Sequence, residues 1–365
     1  MKLLRNYVLK EFIGPLIMTL AVLTFVMLLG NLVKIADLII NKGVDLYNVG
    51  KLFLYMIPYL LTYTVPIAAL AALLLSLGRL SSDNEIIAIR ASGTNLIWLI
   101  LPLYFVGIIL SLVLVIFNDR VIPYAHFQTR KTLIEVGIKN PAAALEPGVF
   151  INSFQNYILF VYHIEDNKLT NVRIYEPQGE NKPTRTIVAR RGEFIVIPEK
   201  NILKLKLMDG TADEPDPDNP TSFYKLNFKT YFMSLNIAQE KDINKIEKKP
   251  KDMTLMELQR EITHLNKETV DPAPLLTEMH SKIALAFSAF VFILIGSPLA
   301  IITRRREKSL NIGIAVLIVG VYYLLFIGAQ SLSLEGYMNP QIAMWLPNAI
   351  FALIGAILTF RLCVS

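Results

Sequence analysis

Apolar residues are arranged along this chain in two different ways. In six stretches, Phe12–Val33, Leu52–Gly78, Ala91–Asn118, Ile283–Thr303, Ser309–Leu334 and Gly336–Phe360, they run almost continuously and without a charged residue. Each stretch reaches the ~20 residues that a helix needs to cross ~30 Å of hydrocarbon, so each predicts a membrane span. Between the third and fourth stretches the pattern changes to short alternating runs rich in Val, Ile, Tyr and Phe, which predict strands. They are Val149–Asn152, Tyr157–His163, Val172–Tyr175, Arg185–Ala189, Phe194–Ile197, Leu203–Met208 and Phe223–Leu235. Turn chemistry at Asp166-Asn167, Gly179-Glu180, Glu199–Asn201 and Asp209-Gly210 separates several of them, and the acid- and proline-rich run Asp213–Pro220 reads as an exposed loop. Many short consecutive strands imply a sandwich, a jelly roll or a related open β-fold.

After the strands, Lys241–Lys251 reads as a charged linker. Thr254, with Glu257 three residues on, then forms a capping box. Leu255, Leu258 and Ile262 fall on one face of the short helix it opens, about 254–266, which ends near Pro272 and Pro274. The predicted fold class is therefore membrane α+β: three spanning helices (1–118), an inserted β-rich domain (119–275) and three more spanning helices (276–365). The first stretch is too long for a signal-peptide core and further spans follow it, so it reads as a retained helix.

Composition agrees with the membrane class, since 53% of residues are hydrophobic. A net charge of +6 raises nucleic acid as a partner, but the excess lies beside the spans and segment 119–280 is nearly balanced. Lys2, Arg5 and Lys10 precede the first span; Arg79 and Arg90 lie between the second and third; Arg304, Arg305, Arg306 and Lys308 lie between the fourth and fifth; Arg361 follows the sixth. By the positive-inside bias these face the cytoplasm, with both termini, and the β-rich insert is extracytoplasmic. Segment Lys34–Lys51, expected outside, departs from the bias by carrying three lysines. The single cysteine, Cys363, excludes an intrachain disulfide, so the insert must rely on its apolar core.

Catalytic signatures are missing: there is no Walker A sequence, no HExxH and no Gly-x-Ser-x-Gly elbow. His126, His163, His264 and His280 occur singly and read as surface or packed histidines. No pair of carboxylates lies inside the predicted spans, which argues against proton coupling and points to a partner ATPase as the energy source. The connection GRLSSDNEIIAIRASG (Gly78–Gly93) has two readings: a surface helix offering Ile86, Ile87, Ile89 and the carboxylate of Glu85 to a soluble partner, or a solvated loop with a topogenic arginine and Glu85 as a cap. Lys34 and Lys42 read either as interfacial anchors or as contacts to the phosphates of an anionic lipid. Pro58, Pro66, Gly296 and Pro298 permit kinks or serve packing.

Taken in order, RNYVLKEFIGP, IPYLLTYTVPIAALAALLLSLGRLSSDNEIIAIRASG, PGVF, EMHSK and GSPLAIITRRR…YYLLFIGAQSL…NPQIAMWLPN give a chain that resembles the LptF/LptG permeases of lipopolysaccharide export along almost its whole length. The resemblance implies a periplasmic β-jelly roll between two three-helix halves in the bacterial inner membrane. It implies a coupling helix at about 79–92, with Glu85 as the acidic residue that meets the ATPase and Arg79, Ile86, Ile89 and Arg90 beside it. It also implies lipid-phosphate contact by Lys34 and, more weakly, Lys42. The partners implied are a second permease of the same type, a dimeric cytoplasmic ABC ATPase that uses the ATP and magnesium, periplasmic jelly-roll proteins and the lipopolysaccharide itself. Neither a bound cofactor nor nucleic acid is expected for this chain, and no enzymatic activity of its own. Two other readings stay open: a membrane-anchored sensor or scaffold whose β-domain binds a periplasmic ligand, and an ABC permease that acts as a mechanical lever.

Overall fold

The computed structural model describes residues 2–40, 44–139, 148–154, 157–165, 168–177, 184–197, 202–215, 223–235, 248–268, 271–302 and 308–364. Six helices are long and apolar enough to cross a membrane: Leu3–Val33, Leu46–Ser82, Leu96–Ile134, Ala273–Ile302, Ile312–Leu334 and Pro340–Leu362. In chain order the elements are α1 (Lys2–Ile40), α2 (Leu46–Ser82), α3 (Glu85–Ala91), α4 (Leu96–Ile116), a π turn (Phe117–Val121) and α5 (Ile122–Lys139). Strands β1 (Phe150–Phe154), β2 (Tyr157–Glu165), β3 (Lys168–Glu176), β4 (Arg185–Ile197), β5 (Ile202–Pro215) and β6 (Phe223–Leu235) follow. A 3-10 turn (Pro250–Asp252), α6 (Leu255–Glu268), α7 (Ala273–Ile302), α8 (Lys308–Leu334) and α9 (Pro340–Val364) complete the chain.

The chain forms two compact units, one of Met1–Asn31, Leu54–Phe127 and Lys248–Ser365, the other of Leu32–Phe53 and Gln128–Glu247. In the first unit α7 is the central helix, packed against α4, α6, α8 and α9. Two glycines allow its close crossings. A Cβ on Gly355 of α9 would stand 2.9 Å from the Ile295 nitrogen of α7, and one on Gly296 would stand 2.7 Å from the Leu70 side chain of α2. Two asparagines also grip α7. Asn118 donates to the Lys282 carbonyl (2.8 Å) and accepts from Thr62 (3.0 Å), while Asn348 donates to the Ala284 carbonyl (2.8 Å) and accepts from Tyr322 (2.8 Å). Both are buried, as polar groups between membrane helices must be if they are to find partners.

The third apolar helix does not stop at Asn118 as expected. It passes through the π turn into α5, because Pro123 has no N–H to give the Asp119 carbonyl, and widening the preceding turn accommodates that loss without ending the helix. The β-rich part accordingly begins at Phe150 rather than residue 119. The fourth apolar helix starts at Ala273, ten residues before Ile283, with Asp271 capping its first turn (Asp271 Oδ1 accepts from Ala273 N, 2.9 Å). Pro272 and Pro274, read above as the end of the preceding helix, stand where prolines favour a start.

In the second unit the six strands form one antiparallel sheet in the order β1-β2-β3-β4-β5-β6, each strand pairing with its sequence neighbour. Among the described residues this is a meander, in which no strand makes the Greek-key return of a jelly roll. One face carries a cluster of Leu159, Val161, Val172, Ile174, Ile187, Phe194, Leu205 and Leu207. Among the described residues its buried members all belong to the sheet. Two expected strands merge into β4, since the alternation runs on through Gly192, where a Cβ would press within 3.2 Å of Val172. Asp209-Gly210 is not a turn but the middle of β5: the register against β4 is unbroken, and Asp209 takes a left-handed backbone (φ 55°) while pairing with Arg191 at 2.6 Å. The expected turns at Asp166-Asn167, Gly179-Glu180 and Glu199–Asn201 lie wholly or mostly outside the described residues.

Candidate coupling surface and buried polar joint

Helix α2 ends at Ser82, and Asp83-Asn84 turns the chain into α3, with Asn84 in the left-handed region (φ 62°). The coupling element expected as one helix at about 79–92 is thus divided. Arg79 belongs to the last turn of α2, whereas Glu85, Ile86, Ile89 and Arg90 belong to the seven-residue α3. Gly93, at φ 79°, closes α3, and Asn95 accepts from Ile97 N at 3.0 Å to start α4.

Within that bend the structure gives each expected residue a definite place. Arg79 pairs with Glu11 of α1 at 2.5 Å, and Glu85 accepts a hydrogen bond from Tyr7 of α1 at 2.9 Å. The first turns of α1 are thereby tied to both sides of the α2/α3 corner. Ser81 donates to the Ile301 carbonyl at 3.0 Å, anchoring the corner to the end of α7. Ile86 is 4% exposed and belongs to the main apolar core, with Ile89 packed against it, so neither is the outward anchor. Ile87, 43% exposed, is the isoleucine of α3 that faces outward, next to the exposed Arg90. A cavity of about 210 Å³ opens beside them, lined by Ser81, Ile86, Ile87, Arg90, Ile301 and Leu362 among others. Lys34 lies on α1, but its side chain is outside the described residues, as is the whole of Lys42.

A second polar assembly escaped the sequence reading. At the π turn, Asp119 accepts from Leu255 N at 2.7 Å and so caps α6, while Thr254 and Glu257 make the expected capping box (Thr254 N to Glu257 Oε2, 2.8 Å). The side chain of Asp252 is fully buried; its carboxylate meets His126 Nδ1 at 2.6 Å and accepts from Lys249 N at 2.9 Å. Lys282 of α7, 7% exposed, donates to the Met253 carbonyl. Helices α5 and α7, with the π turn, therefore all grip the short segment that leads into α6, and Asn118 links the same place to Thr62 of α2. Leu258 and Ile262 of α6 pack on Leu275 of α7 beneath it. The available signals were the Asn118-Asp119-Arg120 run that interrupts an apolar helix and a lysine at the head of the next one. Beside the joint lies a cavity of about 210 Å³ lined by residues of α2, α7 and α8. His126 is thus a packed, paired histidine, and among the described residues no group of three His, Cys, Asp or Glu side chains is placed to hold a metal.

Comparison with known proteins identifies the family. The family described as lipopolysaccharide export system permease LptF/LptG matches residues 6–361. The chain is 21% identical over 360 residues to the lipopolysaccharide export system permease protein LptF of Escherichia coli K12, covering 97% of this chain and 93% of the relative. It is 24% identical over 365 residues to LptG of the same strain, covering 97% and 98%.

Proposed function

Because this chain belongs to the LptF/LptG permease family, we propose that it is one of two permease subunits of an ABC transporter that lifts lipopolysaccharide, or a related glycolipid, out of the inner membrane. The family match across residues 6–361, on a chain with three apolar helices before and three after one β-rich insert, is the observation that carries this reading. The physical task is severe. At about 0.8 kcal/mol per CH₂, a single acyl chain drawn into water costs about 10 kcal/mol, so its path must be apolar throughout and the work must come from ATP. A partner ATPase dimer supplies that work, and this chain converts it into movement of helices.

The α2/α3 corner suits the input. Exposed Arg90 and Ile87, beside an adjoining cavity, offer one charge and one apolar contact to a soluble partner, and Glu85 and Arg79 carry any displacement to α1 through Tyr7 and Glu11. In this reading the corner and both termini are cytoplasmic and the sheet periplasmic, an orientation that the flanking basic residues support through the positive-inside bias. The sheet suits the output. Its apolar inner face can receive acyl chains, and β6, a 13-residue strand at the end of the sheet order, suits the addition of a strand by a periplasmic jelly-roll protein. Lys34 and Lys42 remain the proposed contacts for the lipid phosphates.

Affinity purification of the tagged chain from its native membrane tests the assembly: a second six-helix permease and a nucleotide-binding ATPase are expected to accompany it. Recovery with a signalling kinase, or with no ATPase, would favour the sensor reading. In proteoliposomes, Glu85→Lys is expected to abolish ATP-dependent lipid release while leaving the complex assembled; unchanged release would remove the coupling role from α3.

A further inference from the structure

The cavity beside the polar joint contains charged and polar groups that find no hydrogen-bond partner among the described residues. Glu278 and Lys282 stand four residues apart on α7, acid first, the order in which a helical ion pair is favoured. Lys282 instead donates to the Met253 carbonyl, and among the described residues Glu278 makes neither a hydrogen bond nor an ion pair. The Tyr323 hydroxyl, which lines the same cavity, is buried without a hydrogen-bond partner. The tyrosine rings are grouped there: Tyr59 and Tyr63 have centroids 5.3 Å apart, and Tyr63 and Tyr323 5.8 Å. A carboxylate without a hydrogen bond among the described residues, a buried hydroxyl without one and a group of electron-rich tyrosine rings are the features that suit an organic ammonium group.

The surroundings identify what carries the ammonium. Lys251 is exposed at the cavity, and Lys282 has N–H groups beyond the one given to Met253, so an anion belongs next to the ammonium. The rim is apolar and outward-facing, with Ile327 62% and the adjacent Leu324 72% exposed on a membrane helix. Charge of both signs inside and apolar helix surface at the mouth match an amphiphile with a zwitterionic head.

We propose that this cavity, between α2, α7 and α8, holds the headgroup of a phospholipid bearing a phosphate and a primary amine, the amine on Glu278, Tyr323 and the tyrosine rings, the phosphate on Lys251 and Lys282. The bound lipid is a resident of the fold rather than the exported cargo, and the site requires only a bilayer, whatever the transporter moves. A quaternary amine fills the aromatic group but cannot donate to Glu278 or Tyr323. A phosphate with no amine meets the Glu278 charge.

The test uses the full chain with its co-purifying subunits, in nanodiscs containing equal amounts of a primary-amine, a quaternary-amine and an anionic glycerol-headgroup phospholipid. Retained lipid is quantified by mass spectrometry after exchange into lipid-free detergent. Enrichment of the primary-amine lipid by about tenfold over the other two is expected, because each charge-assisted hydrogen bond lost costs about that factor. Glu278→Gln and Tyr323→Phe should each reduce the enrichment severalfold without dissociating the subunits. Should Glu278→Gln fail to assemble, Tyr323→Phe decides alone, since it removes one oxygen and no volume. Equal retention of all three lipids, or enrichment that survives both substitutions, overturns the proposal. A thermal shift from soluble O-phosphoethanolamine as large as that from the lipid, with no lipid retained, also overturns it by assigning the cavity to a soluble compound.

Discussion

Replacing Asn348 with leucine tests whether α7 is held by hydrogen bonds as well as by packing. Asn348 on α9 spends both ends of its amide on neighbours, the Ala284 carbonyl of α7 and the Tyr322 hydroxyl of α8, each at 2.8 Å. Leucine is of similar volume, so the substitution removes two bonds and opens little space. The Ala284 carbonyl keeps its place in the α7 ladder, but Tyr322 is 0% exposed and its hydroxyl loses its acceptor. Interhelical hydrogen bonds in a bilayer are worth about 0.6 kcal/mol on average, up to about 1.7. A stranded buried hydroxyl adds about 1–3 kcal/mol, towards the low end here because Ser288 lies against the same oxygen. The expected loss is therefore about 2–3 kcal/mol, with stranding the larger part. That ranking makes a stronger expectation: adding Tyr322→Phe removes the stranded group, so the double variant should recover about 1 kcal/mol over Asn348→Leu alone. Unfolding by SDS in bicelles, followed by tryptophan fluorescence, reads this interface, since Trp345, one of only two tryptophans, packs on Phe287 of α7 at 5.6 Å. If the two substitutions add to within about 0.5 kcal/mol, the hydrogen-bond account of the α7 packing fails.

Three further outcomes follow from the same packing. Gly355→Ala places a methyl group against the α7 backbone and should cost about 1–3 kcal/mol in the same titration, whereas Gly320→Ala, with nothing within 4 Å, should be neutral. On α3, Ile86→Asp should lower stability because it buries a charge, while Ile87→Asp should leave stability unchanged and reduce ATP-coupled release, a separation read by pairing melting curves with the transport assay. Burial alone would raise the Glu257 pKa, but Lys248 and the Thr254 N–H outweigh it and hold the carboxyl below its ordinary value. Its support of α6 is accordingly full above the unfolded glutamate pKa, about 4.3, and fades as pH falls through the lower folded value. Glu257→Gln should flatten the acid limb of a melting-temperature profile; an unchanged limb would count against the capping role.

The sequence was most legible where one physical requirement acts alone. Hydrocarbon demands about twenty apolar residues in a row, and all six such runs are helices at the expected places. Their ends were less legible because a charged residue does not stop a helix. Residues 122–139 are polar yet helical, and α1 begins at Lys2, ten residues ahead of its apolar run. In the sheet, Arg190-Arg191-Gly192 and Asp209-Gly210 have turn composition, and only pairing with neighbouring strands keeps them extended, a long-range term that no local window contains.

The candidate sites divide along the same line. Glu85 and Arg90 were visible because a polar break between two apolar runs stands out, whereas the choice of Ile87 over Ile86 and Ile89 as the outward residue depends on which face of a seven-residue helix turns to the apolar core. The polar joint was hidden for a deeper reason. Thr62, Asn118, His126, Asp252 and Lys282 come from separate parts of the chain, and each alone reads as an ordinary polar residue near the end of a span. In water such residues would need no partners. Next to hydrocarbon each must find one, so a single fully buried carboxylate, Asp252, is enough to require an imidazole (His126) and a backbone donor (Lys249) within reach, and the fold of residues 248–258 is arranged around meeting that requirement. The polar residues that break an apolar pattern are therefore where a membrane chain of this kind concentrates its specificity. Among the described residues, the cavity at Glu278 and Tyr323 is a place where the requirement is left open to a molecule from outside the chain.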